Sequence, residues 1–127
     1  MIDHTGLQVS NPSKSRSFYT HALAPLGYKV ITEVPTEFTG GSIVLGYGVP
    51  PKADFWIQEE KPTHRTHIAF RAESRKQVDD FFKAAIAAGG KDNGKPGIRP
   101  HYHENYYAAF VLDPDGHNIE AVFHGKM

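Results

Sequence analysis

The chain repeats itself across its two halves, and no other feature limits its fold as tightly. Laid over itself at an offset of 63 residues, His4 falls on His67, Leu7 on Phe70, Phe18 on Phe81 and Tyr19 on Phe82. Ala22 falls on Ala85, Leu23 on Ile86 and Gly27 on Gly90, with no gap needed. A period of half the chain predicts two related modules rather than a long array. Each module opens with a histidine at the head of an apolar strand. Two imidazoles related by such a repeat are candidate metal ligands.

The pattern between the repeated positions gives the elements. Ile2 to Val9 alternates and reads as a strand. Ser10-Asn11-Pro12-Ser13 is a turn with helix-cap chemistry, and Ser13 to Leu26 places Phe18, Ala22, Leu23 and Leu26 on one helical face. Gly27 stops that helix. Tyr28 to Val34, Ser42 to Tyr47 and Ala53 to Gln58 read as strands separated by Pro and Gly turns. The second half repeats the order: strand His64 to Ala72, helix Ser74 to Ala88, a weak strand near Lys91, then a hairpin of Tyr106 to Leu112 and Asn118 to His124 around Asp113-Pro114-Asp115-Gly116. The expected class is α+β, with two βαβββ modules, 1–60 and 64–127 of a single domain 1–127, whose mixed sheets curve around a cleft.

Composition narrows the function. Lys+Arg and Asp+Glu both number 14, so the formal net charge is zero, which argues against nucleic acid and anionic membranes as partners. There is no cysteine, which removes thiolate nucleophiles and thiolate metal sites and fits a cytoplasmic location. No long apolar run spans a membrane, and the N-terminus lacks the layout of a signal peptide.

The first candidate site is His4, His67 and Glu120. Glu120 stands inside the apolar run Asn118-Ile119-Glu120-Ala121-Val122, where an acid is costly unless paired or metal-bound. Two imidazoles and one carboxylate leave open positions on a divalent ion, Fe, Zn, Mn, Ni or Co. The bland alternative is a set of hydrogen-bonded strand residues around a dry cleft. The second candidate is the loop Arg99-Pro100-His101-Tyr102-His103-Glu104-Asn105-Tyr106-Tyr107. His101, His103 and Tyr106 are its candidate acid/base groups, and Arg99, Tyr102 and Tyr107 its candidate cleft lining, with Trp56 from the first half. Packing of the loop's aromatics over the core is the competing reading. Gly89 to Pro96 nearly fits a phosphate loop, but Pro96 follows the lysine and the segment leaves a helix, so it reads as a turn. His21, His64, His117 and His124 carry no motif and are expected at the surface or at strand edges.

Three stretches together carry a family resemblance. Ile2-Asp3-His4-Thr5-Gly6-Leu7-Gln8-Val9 with Ser17-Phe18-Tyr19, then Thr66-His67-Ile68-Ala69-Phe70, then Asp113-Pro114-Asp115-Gly116-His117-Asn118-Ile119-Glu120 resemble the vicinal oxygen chelate superfamily. That superfamily includes glyoxalases, bleomycin resistance proteins and extradiol dioxygenases. The resemblance covers essentially the whole chain. It implies the glyoxalase-like fold, a small-molecule substrate, a divalent metal and a homodimer. It also implies a fourth ligand, a carboxylate from the strand Ala53 to Gln58. The strand match puts Trp56 there, or Ile57 at the strict offset, and neither binds metal. Glu59 would serve only after a register shift. The departure argues against a lactoylglutathione lyase. It leaves the three-ligand set of the dioxygenase branch, with dioxygenase, lyase or isomerase chemistry on vicinal oxygens. The rival reading is a metal-free binding protein of the drug-sequestering type.

Overall fold

Strands come from alternation and helices from caps, and both are visible residue by residue. The computed structural model describes residues 1–125, so Lys126 and Met127 of the expected second module lie outside it. The first half runs β1 (Thr5–Val9), α1 (Pro12–Ala22), a 3-10 turn (Ala24–Leu26), β2 (Lys29–Glu33), β3 (Val44–Gly48) and β4 (Phe55–Glu59), with a further 3-10 turn at Thr36–Phe38. The second runs β5 (His67–Arg71), α2 (Arg75–Ala87), β6 (Lys91–Ile98), β7 (Tyr107–Leu112) and β8 (Asn118–Phe123).

The first helix starts earlier and stops sooner than the sequence pattern predicts. Asn11, not Ser13, is the cap, its side chain accepting from the Lys14 N–H at 3.1 Å. Pro12 follows at the first helical position, where its missing N–H costs nothing. Pro25 lacks the N–H that would extend the α-helical ladder, so the chain tightens into a 3-10 turn and leaves it through Gly27 at φ 84°. The second helix is capped by Ser74, which accepts from the Gln77 N–H, while Gln77 Oε1 accepts from the Glu73 N–H.

Each half makes a four-stranded mixed sheet, ordered β1-β4-β3-β2 in the first and β5-β8-β7-β6 in the second. In each, the first and last strands of the module pair in parallel and the rest pair antiparallel. The strand expected only weakly near Lys91 is the full eight-residue β6. Its two register shifts against β7 fall between Asp92 and Gly94 and between Gly94 and Gly97. Such bulges erase the alternation that would have announced it.

One face of each sheet is buried. Leu7, Val9, Leu45, Tyr47, Phe55 and Ile57 from the first sheet join Phe70, Ala109, Val111, Ile119 and Ala121 from the second in one core, with Phe18, Tyr19 and Phe81 from the helices. Phe70 spans the halves, with its ring 5.1 Å from Phe55 and 5.3 Å from Tyr28. The opposite face carries Trp56 in the first sheet and Glu120 in the second.

A polar joint completes the union of the halves. The β7–β8 turn, Asp113 to His117, reaches across to β1 and α1. Asp113 accepts from the Tyr19 hydroxyl and, through its other oxygen, from the backbone N–H groups of Asp115 and His117. Asp115 accepts from the Ser10 hydroxyl and backbone N–H. His117 is not at the surface, as expected, but 1% exposed. Its Nδ1 accepts from the Thr66 N–H at 3.0 Å, and its Nε2 donates to the Gln8 carbonyl at 2.8 Å. Both ring nitrogens are used, so the imidazole is a neutral bridge between modules. Burial raises the Asp113 carboxyl above its ordinary range, although the hydrogen bonds from Tyr19 and the backbone pull the other way. Burial, then the neighbouring Asp113 charge, holds the Tyr19 hydroxyl well above the usual phenol range.

Candidate functional site

Register decides which residues share the open faces. In the first sheet Gly6 pairs with Trp56 and Gly46 also pairs with Trp56. In the second, Ala69 and Phe110 both pair with Glu120. Gly6 and Ala69 are equivalent under the repeat, so Trp56 occupies the place in the first module that Glu120 occupies in the second. Ile57 points into the core instead. Glu59 Oε1 accepts from the Ile43 N–H at 3.0 Å, which ties it to the end of the β3–β4 ladder.

Glu120 is 1% exposed although its face of the sheet is the open one. His67 Nε2 lies 2.8 Å from its Oε1, and the Tyr106 hydroxyl donates to its Oε2. His67 itself is about half exposed and stands 6.2 Å from the Phe110 ring. Burial, then the hydrogen bond to Glu120 and its charge, raises the Tyr106 phenol well above its ordinary value. Tyr106 therefore stays an O–H donor across the neutral range.

The rest of the 99–107 loop is ordered around Tyr106. The Arg99 N–H donates to the Tyr106 carbonyl at 2.7 Å, closing the loop. The Arg99 guanidinium lies 5.3 Å above the Phe110 ring and donates to the Gly97 and Lys95 carbonyls. His103 Nδ1 accepts from the Asn105 N–H, which leaves its Nε2 as the donor to His124 Nδ1 at 2.9 Å. The Tyr106 ring meets His103 and His124 edge-on, each at 5.3 Å. Tyr102 is exposed, and its ring meets His101 at a tilt and Tyr106 edge-on. Tyr107 turns to the helix side, where its hydroxyl donates to Asp79 at 2.6 Å under the Arg75 guanidinium.

His4 lies elsewhere. Its Nδ1 is 2.8 Å from the Asp3 carboxylate, and it borders a cavity of about 590 Å³ on the open face of the first sheet. That cavity is lined by Asp3, Lys52, Gln8, Trp56 and Gln58, and by no described residue of the second module. The structure thus brings His67, Glu120 and Tyr106 together within one chain and leaves His4 with Trp56.

Among the described residues one group of three His or acidic side chains offers donor atoms within 4.8 Å of one another: Asp113, Asp115 and His117. A metal there would have to displace the hydrogen bonds of the joint. His117 Nδ1 has already given its lone pair to Thr66, and its Nε2 carries the proton bonded to Gln8. Sequence reasoning missed this role because the partners of His117 are distant backbone groups that no local pattern reveals.

Two mixed-sheet modules of βαβββ order, with a buried acid and a histidine on an open sheet face, define a glyoxalase-like protein. The chain belongs to the Glyoxalase/Bleomycin resistance protein/Dioxygenase superfamily, whose family model matches residues 1–121. Among solved structures it is similar to a glyoxalase/bleomycin resistance protein from Albidiferax ferrireducens T118, with 28% identity and a TM-score of 0.77 over 95% of this chain and 97% of that one. It has the same fold as the fosfomycin resistance protein FosX from Listeria monocytogenes, with 18% identity and a TM-score of 0.70 over 100% and 94%. Glyoxalase I from Zea mays shares the fold at 18% identity and a TM-score of 0.72, over 95% of this chain and 43% of that one. No curated protein matches the sequence. No helix among the described residues is long and apolar enough to cross a membrane.

Proposed function

We propose that this chain is a metal-dependent enzyme whose small substrate chelates a divalent ion through two adjacent oxygens, with His4, His67 and Glu120 as the protein ligands. The observation that carries the reading is the buried Glu120 carboxylate, held on an open sheet face 2.8 Å from an imidazole nitrogen. Ligands near 2.1 Å from one ion and at a right angle lie about 3 Å apart, so this pair fits neighbouring positions on a single metal. Bound there, the ion supplies polarisation of a substrate oxygen and stabilisation of an enolate, as dioxygenase, lyase and isomerase chemistry of this kind requires. The chain's own residues do the rest. Tyr106 fixes the second oxygen of Glu120 and keeps its proton. The Phe110 ring stands beside His67, and the Arg99 guanidinium lies over that ring.

His4 completes the set in a homodimer, in which the open face of one protomer's first sheet covers the open face of its partner's second. What supports this is the separation of the two faces in the single chain. The second reading, a metal-free binding protein, rests on Trp56 standing where a symmetric site would have its other carboxylate.

Metal analysis after equilibration with Fe(II), Mn, Ni and Zn tests the proposal. One tightly held ion per site is expected in the unaltered protein, with loss in His67→Ala. Mixing His4→Ala and His67→Ala chains should restore part of the binding. Equal lack of metal in the unaltered protein and His67→Ala would overturn the enzyme reading.

A further inference from the structure

Trp56 is the chain's one tryptophan, and its surroundings are unusual. Both of its cross-strand neighbours, Gly6 on β1 and Gly46 on β3, lack side chains. A Cβ on Gly46 would stand 2.8 Å from the indole Cζ3 and Cη2, so the ring's far end lies down on the Gly46 backbone. An indole laid over glycine shows its other face outward. That face borders the cavity of about 590 Å³, a size that suits a small ligand. A core tryptophan would be covered on both faces, whereas this one is only half-buried.

Charge at the rim is already spent. Lys52 Nζ sits 3.0 Å from the Asp3 carboxylate, which also holds His4. Gln8 donates to Glu60. Beside the indole stand the exposed amide of Gln58 and the His4 imidazole, whose Nδ1 faces Asp3. The site therefore offers a flat apolar face with a neutral hydrogen-bonding edge, not a charged clamp.

We infer that this cavity is the recognition subsite for a planar aromatic ring, stacked on Trp56 and bonded at its edge by an amide. Trp56 is then the residue that sets substrate class, by shape of ring rather than by charge. The inference builds on the proposed function only in placing this ring beside His4, and its test needs no metal.

In chelator-treated, isotope-labelled protein, the single indole N–H signal would be followed while benzamide or quinolin-2-one is added, with cyclohexanecarboxamide as the saturated control. The two flat probes should move that signal saturably, and the control should not. Calorimetry on Trp56→Leu should show binding weaker by about fivefold or more, the size of a lost stacking contact. Trp56→Phe should lose less. An unmoved indole signal, equal shifts from the saturated control, or unchanged affinity in Trp56→Leu would each overturn the inference. Because chelator is present throughout, an absent metal site would leave this result standing, and an absent ring site would leave the metal result standing.

Discussion

Tyr19→Phe removes one oxygen from a position with no solvent access and leaves the packing of the ring intact. The lost hydroxyl is a donor to the buried Asp113 carboxylate, at the joint between the modules. A hydrogen bond to a charged group contributes about 1.5–3 kcal/mol. With an unfolding entropy of about 2.1 cal/mol/K per residue, that loss lowers Tm by about 6–11 °C in a chain of this length. The sign of the pH dependence follows from Asp113. Its folded pKa lies above its unfolded value, so the folded state binds the extra proton between the two, and stability falls as pH rises through that window. Without the Tyr19 donor the folded value climbs further and the window widens upward. The deficit of the variant should therefore be smallest near pH 4 and largest near pH 7. Thermal scans of both proteins at these two pH values are the assay. A loss under about 2 °C at pH 7, or the same loss at both, would refute the argument that this bond matters to the joint.

Tyr19, Tyr28, Tyr106 and Tyr107 all have hydroxyls raised above the ordinary phenol value, chiefly by burial except at Tyr107, where the bond to Asp79 leads. Their contribution to stability is complete below about pH 10 and is lost as pH rises through the folded values. Tyrosinate absorbance should then lag behind that of a denatured control and rise together with unfolding. His117→Ala leaves the Thr66 N–H without its acceptor and the Gln8 carbonyl without its donor, a cost of about 2–4 kcal/mol. Urea denaturation should show that loss, and amide exchange at Thr66 should quicken.

The repeat made the fold legible. His4 and His67, Leu7 and Phe70, and the two glycine stops all mark equivalent points of two modules. The strand match put Trp56 at the place in the first module that Glu120 holds in the second. Three things were not legible, each for a physical reason. Strand β6 hides behind bulges at Gly94 and Gly97. Asn11 caps the first helix because Pro12 tolerates the first helical position, and a reading that starts the helix at the first polar cap after the proline misses it. His117 is buried through bonds to Gln8 and Thr66, one in each module, and no window of sequence contains that geometry. Of the candidate site, the pair His67 and Glu120 meets in one chain, and Tyr106 joins it. Tyr107 follows the alternation of β7 to the helix side, the face opposite the one that carries Glu120.

The β7–β8 turn has a consequence for how the chain tolerates changes of length. Asp113, Asp115 and His117 are fastened to the first module, and Glu120 projects from the second sheet only three residues beyond His117. One added residue in that span would either pull the turn off Ser10, Tyr19 and Gln8 or rotate Glu120 from the open face into the core, because side chains alternate along β8. The connection between β2 and β3, with the exposed Phe38 at its tip, carries no such double duty. Insertions and deletions have room to accumulate there, while the stretch from Asp113 to Glu120 keeps a fixed length.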